Sequence, residues 1–235
     1  MKILLLITLA ITSLSVTATP NFSKAKKNMY IKVFNNSGET LYCGCKWNRK
    51  KVDLASCGLE GYFKKKYRKR ARRTEAEHII PASWLLKVNK KFRQCVIDAK
   101  ELKQSPRKYC QKHDEDYKKA HNDLVNLYPT VGQINANRSN KPFLDSLKTI
   151  KNSYGNCNAE SGTRGFIPPD DKKGDIARVA FYMSQTYGVV YSKRQLLLFE
   201  SWDKLDPISD KEQKHNAIVI EIQGYGIGQR DLTKN

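Results

Sequence analysis

Along this chain apolar positions fall into helical spacing near the two ends and into short, blunt runs in the middle. Ala25, Met29 and Val33 stand four apart between Phe22 and Phe34, which puts one apolar face on a helix. Asn35-Asn36-Ser37-Gly38 then breaks it. Toward the C-terminus, Ile176, Val179, Ala180 and Met183 follow i, i+3, i+4, i+7 spacing, with Gly188 as the stop. Ser192 and Gln195 make a capping box ahead of Leu196-Leu197-Leu198-Phe199, and Pro207 closes that helix. Asp210 to Gln223 predicts another, closed by Gly224. All three read as scaffold. The middle differs. Ala76 to Ile80, ended by Pro81, and Leu124 to Tyr128, ended by Pro129, predict two short strands. Thr130 is placed to cap a helix over Val131 to Asn137, with Asn135 in its second turn. Leu41 to Gly61 and the charged stretch Phe92 to Lys119 show neither period, and a loop as long as the latter needs a tether. No internal repeat appears. The pattern predicts an α+β fold, mostly helical and mixed: strand, tethered loop, strand and helix on a helical scaffold.

Composition changes the compartment. Lys2, the apolar run Ile3 to Ala10, and small Val16 and Ala18 spell a secretory signal peptide over residues 1–18, leaving 19–235 as one mature domain. The run is short for a membrane span and nothing comparable follows it. Six cysteines in an exported chain predict three disulfides. Cys95–Cys110 closes a local loop and is the favoured pair; the pairing of Cys43, Cys45, Cys57 and Cys157 stays open. Zinc is the rival reading, but Cys43-Gly44-Cys45 lacks a knuckle's spacer and no second knuckle follows.

Charge narrows the partner. The 235 residues carry a formal net charge of +20, which calls for a polyanion: nucleic acid first, an anionic membrane or glycan second. Lys64 to Arg73 has eight basic residues in ten. Such a run is ordinarily a solvated face or a flexible arm. Interleaved Tyr62, Phe63 and Tyr67 would also suit base stacking beside phosphate contact. Export excludes a nuclear-localisation signal.

Glu77-His78 follows this basic block at the end of an apolar run. An acid beside a histidine serves proton transfer or metal chemistry, although a structural pair is the commoner meaning. Strand alternation sends the two side chains to opposite faces, so one shared site requires the strand to end or bulge there. A zinc-protease reading fails because His-Glu-x-x-His is absent. Asn135 alone would read as a helix residue, and Arg107 as surface charge. His113 and His121 lie in polar surroundings and are expected to be exposed; His215 lies far along the chain.

Glu77-His78-Ile79-Ile80-Pro81-Ala82, Arg107-Lys108-Tyr109-Cys110, and Asp123-Leu124-Val125-Asn126-Leu127-Tyr128-Pro129-Thr130-Val131-Gly132-Gln133-Ile134-Asn135 together resemble the bacterial endonuclease I family. Tyr42-Cys43-Gly44-Cys45, Asp53-Leu54-Ala55-Ser56-Cys57-Gly58, Gly174-Asp175-Ile176-Ala177-Arg178 and Leu198-Phe199-Glu200-Ser201-Trp202 extend the resemblance over nearly the whole mature chain. It implies an exported, disulfide-bonded nuclease with a ββα-metal motif at its core. It further implies Glu77 and Asn135 as ligands of Mg²⁺ (Mn²⁺ or Ca²⁺ in its place), His78 as general base, Arg107 on the phosphate, and Asn126 orienting the site. The resemblance also departs in places: Val125 stands where histidine is expected, Gln133 where glutamate, Asn137 where aspartate. The latter two changes are expected to remove negative charge near the metal. The insertion between Cys95 and Arg107 is long, and a C-terminal cysteine pair is missing.

The chemistry agrees with these roles. A neutral imidazole, with a reference pKa of about 6.5, accepts a proton from water near neutrality. A hard cation on carboxylate and amide oxygens offsets charge on a phosphodiester under attack. Arginine pairs with phosphate oxygens as lysine does not. The expected function is a secreted or periplasmic endonuclease, monomeric, cutting single- or double-stranded DNA and RNA with little sequence preference, to 5′-phosphate products. The alternative is a non-catalytic cationic binding protein, which needs only the basic block.

Overall fold

The computed structural model describes residues 21–228. The expected signal peptide, 1–18, lies outside them. The first apolar face forms, but on a helix of two kinds: α1 (Phe22–Lys27) runs directly into a wider π-helical turn over Asn28–Val33. Asn21 caps α1, its side chain accepting from Lys24 N at 2.9 Å.

Residues expected to be irregular instead form part of a small antiparallel sheet, β1 (Ser37–Glu39), β2 (Lys46–Asn48) and β3 (Lys51–Val52), in that order. Strands of two or three residues are too short to show an alternation. Cys45–Cys57 closes this region on itself, and Cys43–Cys157 ties it to a loop 114 positions away. The basic run is an ordered helix, α2 (Lys65–Ala71), held down by buried Ala71, and not a free arm. Lysine and arginine are good helix formers, so one small anchoring residue suffices.

β4 (Thr74–His78) follows, then α3 (Ala82–Val88), α4 (Arg93–Glu101), α5 (Pro106–His113) and α6 (Glu115–His121). The stretch expected as a tethered loop is thus helical, and Cys95–Cys110 is a staple between α4 and α5. These helices bury few residues each, mainly Cys95, Ala99, Cys110, Tyr117 and Ala120. Isolated helices of this length are marginal, so tertiary contacts and the staple decide them.

β5 (Leu127–Val131) starts three residues later than the apolar run suggests and passes through Pro129; Leu124–Asn126 is a tight helical turn. It pairs antiparallel with β4 in the register Glu75↔Thr130, Ala76↔Pro129, Glu77↔Tyr128 and His78↔Leu127. A two-stranded ribbon has an edge on both sides, which lets it hold a proline. Thr130 lies buried inside this strand and caps nothing; α7 (Gly132–Arg138) starts from Val131 without a side-chain cap. A Cβ on Gly132 would stand 2.6 Å from Arg70 O and 3.1 Å from Arg73 O, so only glycine lets α7 begin against the end of α2.

A second three-stranded sheet, β6 (Ile150–Ser153), β7 (Glu160–Gly162) and β8 (Phe166–Ile167), precedes the scaffold helices α8 (Lys173–Tyr187), α9 (Lys193–Leu205) and α10 (Asp210–Gln223). The capping box forms at Ser192 and Gln195, and Gly188 and Gly224 end α8 and α10 at φ 71° and 81°. Buried Asp123 accepts from the hydroxyls of Tyr182 and Tyr187 and from the side-chain amide Nε2 of Gln223 at 2.9 Å. It thereby locks two scaffold helices to the residues that lead into β5. Among the described residues no helix is long and apolar enough to cross a membrane.

The long Cys43–Cys157 link yields a first prediction. Replacing both cysteines by serine should cost about 5 kcal/mol in urea unfolding, the chain-entropy value for a loop of this order. A loss below about 1 kcal/mol would show that the link does not limit the unfolded chain.

Candidate active site

β4 ends at His78, and its end is what lets neighbouring side chains share a site. Asn126 clamps the chain beyond it: its Oδ1 accepts from Ile80 N at 2.7 Å, and its Nδ2 donates to Ile80 O at 2.9 Å. Ile79 N donates to Asn126 O at 3.1 Å. From the other side, Arg138 donates to His78 O at 2.8 Å and to Ile79 O. Asn126 is fully buried and does not line the cleft. Glu77, His78, Arg107 and Asn135 all line one cleft of about 420 Å³, together with Arg70, Phe22 and Arg138.

His78 Nε2 lies 2.9 Å from the carbonyl oxygen of His121. A carbonyl only accepts, so Nε2 carries the proton and Nδ1 carries the lone pair. Phe22 stacks on the imidazole, centroids 5.1 Å apart at 24°, and the His121 ring meets its edge at 4.7 Å. Burial first, then the neighbouring His121 ring and the Arg107 and Arg138 guanidiniums, hold the His78 pKa well below 6.5. The ring is neutral at neutral pH, as a proton acceptor has to be.

Glu77 is 2% exposed and accepts on Oε1 from Tyr42 OH at 2.6 Å and from Arg138 Nη1 at 3.0 Å. Burial raises its carboxyl pKa, while the Arg138 charge and the Tyr42 hydroxyl pull it back. Both contacts use Oε1, so Oε2 is the oxygen left for another partner. Asn135 Nδ2 donates to Glu75 Oε2 at 3.2 Å. Glu75 is itself gripped by Arg70 at 2.7 Å and Arg73 at 2.8 Å. With its nitrogen committed there, Asn135 has Oδ1 available.

Arg107 is exposed and donates through Nε and Nη2 to His121 Nε2, at 3.4 and 3.2 Å. Since arginine only donates, His121 holds its own proton on Nδ1, facing Asn122 Oδ1 at 3.1 Å. Burial pushes the His121 pKa down to about 4, which keeps that acceptor free. One residue therefore touches two others: its backbone orients His78 and its side chain orients Arg107. The expectation of an exposed His121 is wrong; it is 0% exposed. Its polar sequence neighbours point outward around α6, while Tyr117, Ala120 and His121 form the inner face. Arg138, Tyr42 and Phe22 were missed as well. Arg138 had a sequence signal, a lone arginine three positions after Asn135, and Tyr42 lay in the family-like block Tyr42-Cys43-Gly44-Cys45.

The sequence matches the family described as Endonuclease I over residues 21–226. The chain belongs to the endonuclease I family. It is 36% identical over 210 residues to an Endonuclease-1 of Buchnera aphidicola subsp. Acyrthosiphon pisum (strain APS), covering 87% of this chain and 78% of that one. An extracellular deoxyribonuclease of Aeromonas hydrophila is 37% identical over 210 residues, 86% of each chain. A periplasmic deoxyribonuclease of the same species is 32% identical over 220 residues, 91% of this chain and 86% of that one. The protein is a nuclease, a hydrolase of phosphodiester bonds.

Endonuclease I enzymes are generally metal-dependent, and the donors here suit a hard cation: Glu77 Oε2 and Asn135 Oδ1 are both oxygens on one cleft. Among the described residues no group of three or more His, Cys, Asp or Glu side chains stands ready to hold an ion. All six cysteines are in disulfides, which removes the zinc reading. The endonuclease I departures fall away from the cleft. Gln133 Nε2 donates to Asn137 Oδ1 at 2.9 Å, and Asn137 donates to Tyr154 OH at 2.7 Å. Positions 133 and 137 share one face of α7, and Asn135 is turned away from it. Two acids four apart on that face would repel, whereas the neutral pair bonds. Val125 is simply buried, at 3% exposure.

Proposed function

We propose that this chain is an exported, metal-dependent, sugar-non-specific endonuclease that hydrolyses DNA and RNA to 5′-phosphate products. The observation that carries the reading is the meeting of Glu77, His78, Arg107 and Asn135 on one cleft, from three separate elements, β4, α5 and α7. Export is supported by the signal-like leader, by three disulfides, and by relatives named extracellular and periplasmic.

Nδ1 of His78 takes a proton from the attacking water, while the His121 carbonyl on Nε2 holds the ring and disperses the charge it gains. Arg107, steadied by His121, binds non-bridging oxygens of the scissile phosphate. Glu77 and Asn135 would hold Mg²⁺, which supplies charge neutralisation at the phosphate and at the departing 3′ oxygen. Arg138 opposes the rise that burial gives the Glu77 pKa, and fixes the backbone on which both Glu77 and His78 stand. Nothing in this set reads a base edge or tests for a 2′-hydroxyl, which supports low selectivity of sequence and sugar. A purely cationic binding protein requires none of these four residues in one place.

The test is nicking of supercoiled plasmid by the oxidised mature protein across a Mg²⁺ titration. EDTA should abolish cutting, and ends produced with Mg²⁺ should ligate without kinase treatment. Asn135→Ala should raise the Mg²⁺ needed for half-maximal rate by at least about tenfold, a loss that even outer partners of a metal cause. Full activity in EDTA would remove the metal from the mechanism; plasmid binding without cutting under any cation would favour the cationic binding protein.

A further inference from the structure

The catalytic cleft does not end the groove. Phe22 lines it on one side and also lines a second cleft of about 620 Å³ between the start of α1 and α5. Lys108 and Lys112 are the charged residues that line that second cleft; Asn21, Ser23, Gln104, Ser105 and Gln111 supply hydroxyls and amides, and among the described residues no carboxylate lines it. Helix α5 faces both clefts. Arg107 and Gln111, four apart, reach His121 at 3.2 and 3.4 Å. Lys108 and Lys112, each one position later, are turned by about 100° onto the adjoining stripe of the helix. Lys26 stands over the Phe22 ring at 4.8 Å.

We propose that the α1–α5 cleft is a phosphate-binding subsite for nucleotides flanking the scissile bond, with Lys108 and Lys112 as its cations. The proposal rests on the nuclease reading and deepens it: the substrate is an extended strand that occupies two adjoining clefts. Two lysines there bind backbone phosphates as point charges, without base readout. Phe22 stacks on His78 and lines both clefts, so it would stand between the reacting phosphate and the flanking one.

The test uses Lys108→Gln/Lys112→Gln in the mature oxidised protein, with Lys193→Gln/Lys204→Gln on α9 as a control that removes the same charge from exposed positions elsewhere. Binding of a labelled single strand of about twelve nucleotides, within the usual span of such grooves, is followed by anisotropy in EDTA against salt. The α5 pair should weaken binding roughly tenfold at 0.1 M salt and lower the log–log salt slope by about 1.4, about 0.7 per phosphate contact. With Mg²⁺, the same variant should raise KM on that strand and leave kcat within about twofold, since chemistry at His78 is untouched. An unchanged slope, an equal change in the α9 control, or a loss confined to kcat would overturn the subsite. Wild-type protein that binds with the expected slope yet never cuts would overturn the nuclease reading and leave the subsite standing.

Discussion

His78→Ala is expected to lower kcat on supercoiled plasmid by about 10²–10⁴, the usual contribution of a positioned general base. The replacement removes Nδ1, the lone pair aimed at the cleft, and the ring that Phe22 and His121 contact. It leaves Glu77, Asn135 and Arg107 in place, so KM and the Mg²⁺ requirement should move by less than about threefold if binding is unchanged. Added imidazole should restore part of the rate to this variant and none to Asn135→Ala, because only the former lacks a base. Single-turnover nicking measures all of this. A fall in kcat of less than about tenfold, or imidazole rescue of both variants, would take the base role away from His78.

Arg138→Met should be the most destabilising single change near the site. The guanidinium is 1% exposed, pairs with Glu77 at 3.0 Å, holds the carbonyls of His78 and Ile79, and lies 4.6 Å over the Phe143 ring. Methionine fills much of the volume but leaves a buried carboxylate with Tyr42 as its remaining donor, and two carbonyls lose their partner. Breaking a buried ion pair from one side costs about 3–5 kcal/mol, a large part of the 5–15 kcal/mol that holds a domain together. Urea unfolding of Arg138→Met and of Glu77→Gln/Arg138→Met decides the cause. The double variant carries no stranded charge and should recover at least about 1 kcal/mol. If the two are equally unstable, the loss lies in the carbonyl contacts and not in the ion pair.

Glu77, His78, Arg107 and Asn135 were legible as a set because the three blocks that hold them resemble one family in order. Each alone would have meant little. The puzzle of adjacent side chains serving one site was also legible, since strand alternation follows from backbone geometry. Its resolution was not. The chain stops being a strand after His78 because Asn126, from 46 positions away, takes both polar groups of Ile80. The helices α4 to α6 were misread for a related reason: their inner faces are cysteine, alanine and tyrosine, spaced too thinly to stand out from surrounding charge.

Local patterns therefore sufficed wherever the deciding interactions are themselves local. The capping box, the glycine stops of α8 and α10, the short reach of Cys95 to Cys110, and the cationic character of α2 all depend on residues within about four turns of helix or one loop. Tertiary structure decided everything that needed a distant partner. It paired Cys43 with Cys157, turned His121 inward to serve both His78 and Arg107, and set Arg138 against Glu77. The physical reason is that a buried polar group must find a partner at a defined distance and angle, and only the folded chain brings residues tens of positions apart to that geometry.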